Sequence, residues 1–118
     1  MSLDRILLMF LRATVAFQVV VGVALWTGRW RQLTDAHVNA GILFVFLLWF
    51  LGATRLVKGP SRALAAVAIA WGAAVGYVGF TQLDMLVGDQ HWMVRAAHLA
   101  IGLAAMPIAE LLGRKASR

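Results

Sequence analysis

Two of the three histidines in this chain stand in the same local sequence. The segment at 36–41 reads AHVNAG and the segment at 97–102 reads AHLAIG, so a glycine, Gly41 or Gly102, follows four residues after His37 or His98. Imidazole nitrogens are common ligands of transition metals and of haem iron. The chain has no cysteine, which excludes disulfides, thiolate metal sites and iron–sulfur clusters. Any chemistry at a metal therefore depends first on these imidazoles.

The elements that must position the two histidines are long and apolar. Of the 118 residues, 62% are hydrophobic and 14% are charged, which is more apolar surface than a soluble domain of this size can bury. Four apolar segments, at 6–26, 36–53, 63–82 and 93–112, each approach the roughly 20 residues that cross a bilayer. The sequence therefore predicts an all-α integral membrane protein, in which residues 1–118 form one domain, a bundle of four transmembrane helices.

Basic residues give this chain a formal net charge of +6, but they lie at the ends of the apolar segments. Three of them, Arg29, Arg31 and Arg95, belong to the first and third loops. The other eight belong to the N-terminus, the second loop and the C-terminus: Arg5, Arg12, Arg55, Lys58, Arg62, Arg114, Lys115 and Arg118. By the positive-inside rule this predicts cytoplasmic termini in a multi-pass protein of a bacterial-type inner membrane. We expect the protein to lie in a lipid bilayer and to bind no nucleic acid.

A few polar residues inside or beside the apolar segments also carry expectations. Arg12 and Glu110 lie at similar depth in the first and last helices, so we expect an ion pair between them. Gln18 should face the interior of the bundle or a neighbouring carbonyl. Thr34 and Asp35 can cap the second helix.

The two histidines are expected to share one haem b. If the first helix runs outward, helices two and four both run inward, and His37 and His98 begin them at similar depth on diagonal neighbours. Imidazoles that face each other there can bind the iron from both sides. Gly41 and Gly102 lie one turn deeper on the same faces and leave room for the porphyrin. The repeated segment also predicts two duplicated helix pairs related by a pseudo-twofold axis.

Cations near the aqueous edge would suit the haem propionates. Arg95 lies one turn outward of His98, and Arg29 and Arg31 lie in the neighbouring loop, so we place all three in the candidate cofactor site. Each can also be read as a plain interface residue. His91, two turns outward of His98, is either a spare ligand or an exposed interface residue.

The two Ala-His-x-x-x-Gly segments, on the second and fourth of four helices, resemble one half of haem A synthase, a family of two fused four-helix bundles. More loosely the chain resembles bacterial four-helix b-type cytochromes. In the catalytic half of the first family a glutamate precedes the first histidine by three residues, and here that residue is Thr34. The outer-loop cysteine pair of many members is also missing. The resemblance therefore implies the half that holds a haem b, without haem modification.

A haem with two histidine ligands has no open position for a substrate, so it exchanges single electrons. We therefore expect a membrane-embedded cytochrome b module, an electron-transfer protein more than a stand-alone enzyme. Its partners would be a quinone or another redox subunit, within a homo-oligomer or a larger complex. The alternative is a haem-free accessory or assembly subunit of a membrane complex, whose histidines form hydrogen bonds between helices.

Overall fold

The computed structural model describes residues 1–59 and 61–116, with side chains through residue 114. Within them the chain forms four α-helices and no strand: α1 (Leu3–Trp26), α2 (Thr34–Lys58), α3 (Arg62–Thr81) and α4 (His91–Ala116). Single 3-10 turns, Arg31–Leu33 and Gln82–Asp84, precede α2 and follow α3. All four predicted helices are therefore present.

The helices extend beyond the apolar segments that predicted them. α1 begins at Leu3 because the hydroxyl of Ser2 accepts a hydrogen bond from the backbone N–H of Arg5 at 3.4 Å. α2 continues to Lys58, five residues past the predicted end, because polar residues propagate a helix as well as apolar ones do. An apolar run predicts the part of a helix that is suited to a membrane, but it does not predict how far the helix continues into polar residues at either end.

The predicted cap of α2 is wrong. The helix begins at Thr34, and the Thr34 hydroxyl donates to the carbonyl oxygen of Arg31 at 2.7 Å instead of accepting from a backbone N–H. The turn Arg31–Leu33 leads directly into the helix, so its hydrogen bonds replace a side-chain cap.

The helices are arranged as a ring in chain order. Each helix contacts the next, α4 contacts α1, and α2 and α4 also meet across the diagonal. The start of α1, the end of α2, the start of α3 and the end of α4 lie at one end of the bundle, which we call the terminal end. The loops at 27–33 and 82–90 lie at the other, the loop end. α2 and α4 both start at the loop end, so they are parallel as expected.

Large apolar side chains lie both inside and outside the bundle. Leucines fill the centre, and four of them are fully buried: Leu11, Leu48, Leu51 and Leu112. Many aromatic side chains point outward, among them Phe10, Phe46, Phe50, Tyr77 and Phe80. A helix that is hydrophobic all round is typical of a membrane span. All four helices are long and apolar enough to cross a membrane, which suggests a multi-pass membrane protein.

Two indole groups join consecutive helices by hydrogen bonds. Trp49 on α2 donates from Nε1 to the carbonyl oxygen of Ile69 on α3 at 2.9 Å, and Trp71 on α3 donates to that of Ile101 on α4 at 2.8 Å. Trp49 reaches α3 because Gly72 has no Cβ; one placed there would lie 2.6 Å from the indole nitrogen. Small residues in α3 thus permit close packing, as is usual between membrane helices.

Two ion pairs attach α1 at the terminal end. The Arg12 guanidinium binds both carboxylate oxygens of Glu110, with Nε to Oε1 at 2.6 Å and a terminal nitrogen to Oε2 at 2.9 Å. This confirms the predicted pair between the first and last helices. Arg55 of α2 binds Asp4 at 2.5 Å, a pair that sequence reasoning missed.

The basic residues are divided between the two ends of the bundle as the sequence predicts. Arg5, Arg12, Arg55, Lys58, Arg62 and Arg114 lie toward the terminal end. The side chains of Lys115 and Arg118 lie outside the described residues.

Candidate functional site

His37 and His98 meet inside the bundle near the loop end. His37 is the fourth residue of α2 and His98 the eighth of α4, and both side chains are partly buried. Their ring centres are 6.5 Å apart and their planes are inclined by 74°. The structure therefore brings together the two histidines that the repeated segment singled out.

The separation of the ring centres is compatible with two imidazoles that bind one metal. With metal–nitrogen bonds of about 2.0–2.1 Å, and ring centres about 1.2 Å beyond the nitrogens, two opposed rings have centres about 6.4–6.6 Å apart. The observed value is 6.5 Å. A twist between the rings does not prevent this, because each ring plane need only contain the axis through the metal.

The two imidazoles also have polar atoms that lack partners. The Nδ1 atoms of His37 and His98 are both buried without a hydrogen bond. A buried polar atom in that state costs about 1–3 kcal/mol, so a pair of them in one place indicates a missing ligand, ion or water. The site is thus chemically unsatisfied by the protein alone.

Each histidine packs on a glycine of the preceding helix. A Cβ at Gly22 of α1 would lie 3.2 Å from Cε1 of His37, and one at Gly79 of α3 would lie 3.4 Å from Cε1 of His98. These two glycines let α1 and α3 approach the imidazoles at equivalent places. Sequence reasoning did not assign them to the site. Their signal was present, since each is a glycine in the loop-end part of the helix that precedes a histidine.

The two glycines that were predicted to make room for a porphyrin differ from each other. A Cβ at Gly102 would meet no atom within 4 Å, so open space lies beside it. At Gly41 a Cβ would lie 2.5 Å from the Gln18 amide nitrogen, so that side chain fills the space. Gln18 does face the interior as expected, but its Oε1 is buried without a partner. Room at Gly41 stays a prediction that requires this side chain to move.

The three arginines of the candidate site, Arg29, Arg31 and Arg95, are exposed at the loop end. Arg95 lines a pocket of about 380 Å³ together with His91. Their interaction with propionates stays a prediction. His91 has a different environment from the other two histidines, because its Nδ1 lies 3.0 Å from the carbonyl oxygen of Met85.

Metal ions held by protein alone are not favoured here. Among the described residues no group of three or more His, Cys, Asp or Glu side chains could hold one. A porphyrin differs, because it supplies four nitrogen ligands itself and needs from the protein only axial ligands. The two imidazoles match the number of ligands that a porphyrin leaves for the protein to supply.

Comparisons with known proteins do not assign a function to the chain. No family model matches the chain, and no curated protein and no solved structure is significantly similar to it.

Proposed function

We propose that this chain is a membrane-embedded b-type cytochrome module that binds one haem b through His37 and His98 and transfers single electrons. The observation that carries the proposal is the 6.5 Å separation of the two ring centres, on parallel helices at one level of the bundle. Both unpartnered Nδ1 atoms support it, since a ring nitrogen without a hydrogen-bond partner is free to bind iron.

The helices around the site suit a flat group. A plane between His37 and His98 runs along the other diagonal of the ring, toward α1 and α3. The glycines of these helices, Gly22 and Gly79, are already in contact with the imidazole rings, whereas the space beside Gly102 is open. Backbone without a side chain at Gly102 leaves room for part of a rigid ring.

The chain's own residues would hold the cofactor and exclude other ligands. His37 and His98 would hold the iron through their ring nitrogens, and would thereby keep oxygen or a substrate from binding it. The bound haem would then supply one-electron oxidation and reduction, at a potential set by its ligands and its burial. Arg95, Arg29 and Arg31 would offer cations to the propionates at the aqueous edge.

The position of the site also predicts its partners. α2 has 25 residues, about 37 Å at 1.5 Å per residue, and His37 is three residues from its start. One haem so close to the loop end does not span the bilayer. We therefore expect a quinone or a second redox subunit, or a homodimer like the fused bundles of haem A synthase, whose cofactor-holding half this chain resembles. With cytoplasmic termini in an inner membrane, the haem would lie near the outer face.

The test is an absorption spectrum of the detergent-purified protein, expressed with added haem, oxidised and then reduced with dithionite. We expect the sharp bands of a six-coordinate b haem. His37→Gly and His98→Gly should each abolish or broaden these bands, and added imidazole should restore them in part by occupying the vacated ligand position.

His91→Gly is the matched control, since this histidine is in the same helix as His98 and contacts Met85 instead of the pair. Its spectrum should equal that of the wild type. Bands that persist in both ligand variants but vanish in His91→Gly would show that the wrong histidines were chosen. A wild-type protein that stays colourless with added haem would favour the haem-free accessory subunit.

A further inference from the structure

A second candidate site lies at the terminal end, far from the histidines. It is an open groove of about 770 Å³ between α1 and α4. Because it is at the opposite end of the bundle, an inference from it stands independently of the haem.

Both walls of the groove are single helical stripes. On α1 the stripe contains Arg5, Leu8, Met9 and Arg12, at the spacing of residues that share one helix face. The two arginines are two turns apart, or about 10 Å, with the apolar side chains between them. The groove thus alternates basic and apolar surface along its length.

On α4 the facing stripe contains Glu110, Gly113 and Arg114. Gly113 brings the helices close together at the floor of the groove, because a Cβ there would collide with the buried Leu8 side chain. The walls therefore meet below and open outward.

The groove has an excess of positive charge. Three arginines line it against two carboxylates, and one of these, Asp4, is bound to Arg55, which is not among the lining residues. The Arg12 side chain is 58% exposed although it binds Glu110, whose side chain is 23% exposed. Two N–H groups of Arg12 donate to Glu110, which leaves three of the five guanidinium donors for an anion.

We propose that this groove binds the phosphate headgroup of an anionic phospholipid, between Arg5 and Arg12. Arg12 is nine residues beyond the start of α1, about 13 Å along the helix, so in a membrane its exposed guanidinium must reach back toward the headgroup layer. Lipid phosphates are the anions at that level. The exposed Met9, with the buried Leu8 beneath it, forms the apolar surface on which the upper acyl chain of the same lipid packs.

Basic grooves between transmembrane helices are known to recognise anionic lipids, and each arginine near the surface contributes about a fivefold gain in affinity. The lipid would join α1 to α4 beside the Arg12–Glu110 pair. It would therefore stabilise the contact between the first and last helices.

The experiment titrates the detergent-solubilised protein with phosphatidylglycerol or phosphatidylethanolamine of identical acyl chains and counts bound lipids by native mass spectrometry. We expect phosphatidylglycerol to bind at least about tenfold more tightly. Arg5→Gln should weaken its binding about fivefold, and the double variant Arg12→Gln, Glu110→Gln should do so too. The double change removes both charges of the pair, so neither remains unpaired in the membrane.

Arg62→Gln is the matched control, because Arg62 is exposed at the same end and does not line the groove. It should change the affinity less than twofold. Equal affinity for the two lipids, or an equal loss in Arg62→Gln, would overturn the proposal. Displacement of the lipid by the same concentration of inorganic phosphate would show a free-anion site instead. Arg5→Gln keeps the backbone N–H that donates to Ser2, so we expect the helix cap to remain, and far-UV circular dichroism equal to that of the wild type checks that the variant is folded.

Discussion

Gly72→Ala in α3 should destabilise the bundle, although alanine is the better helix former. A Cβ at Gly72 would lie 2.6 Å from Nε1 and 2.9 Å from Cδ1 of Trp49, so the indole must move. Its hydrogen bond to the Ile69 carbonyl would then be lost or distorted.

The magnitude follows from three contributions. Loss of the hydrogen bond costs about 0.5–1.5 kcal/mol, and displacement of a packed ring costs about 1–3 kcal/mol. The change from glycine to alanine in a helix returns about 1 kcal/mol. We expect a net loss of about 0.5–3.5 kcal/mol in the free energy of unfolding.

Gly76→Ala is a matched control on the same face of the same helix. Its Cβ would meet only Val45 Cγ2, at 4.0 Å, which is ordinary contact. The helix preference of alanine should therefore dominate, and the free energy of unfolding should stay the same or rise by up to about 1 kcal/mol.

The assay is reversible unfolding in mixed micelles, followed by far-UV circular dichroism and by tryptophan fluorescence. In a Trp49→Phe background, Gly72→Ala should cost less, because the clashing nitrogen and its hydrogen bond are already gone. If Gly72→Ala and Gly76→Ala had the same effect, or if the cost were unchanged without Trp49, the close approach of this indole to α3 would be refuted.

Two further predictions concern the haem site and its support. Gly102→Ala should leave the melting temperature of the haem-free protein unchanged or higher, because the new Cβ meets open space. The same change should raise the rate of haem loss about tenfold, because the Cβ would crowd the porphyrin ring. Equal retention of haem by the variant and the wild type in a dissociation assay would contradict the role of this space. Trp71→Phe should lower the free energy of unfolding by about 0.5–1.5 kcal/mol, through loss of the bond to the Ile101 carbonyl. Trp92→Phe, at a 59% exposed indole, should have a smaller effect in the same unfolding assay, and equal losses would contradict the importance of that bond.

The four helices were predictable because the apolar runs are long and the breaks between them are polar. The ends of the helices were less predictable. α2 continues to Lys58, because charged residues extend a helix without changing its buried face. The Arg12–Glu110 pair followed from depth and from the cost of an unpaired charge in a membrane. The pair of Asp4 with Arg55 did not, because residues at helix ends can reach several neighbours.

The candidate site was partly predictable for a similar reason. His37 and His98 stand in a repeated segment on alternate helices, and helix order alone places such residues on one diagonal. Their contacts with Gly22 and Gly79 depend on the rotation of α1 and α3 about their axes, which the sequence does not specify when a helix is apolar all round. The position of the Gln18 amide beside Gly41 depends on the side-chain rotamer of Gln18, so the spacing of residues in the sequence does not predict it.

The attachment of α1 is unequal along its length. Both of its ion pairs to other helices within the described residues involve its N-terminal half, through Asp4 and Arg12. Toward the loop end α1 meets the His37 ring through Gly22, with van der Waals contact alone. Neither ion pair therefore fixes the loop-end half of α1, which is held by packing. Under the proposed function this is the half of α1 that a flat cofactor would displace, so insertion into the membrane and cofactor loading would be separable events.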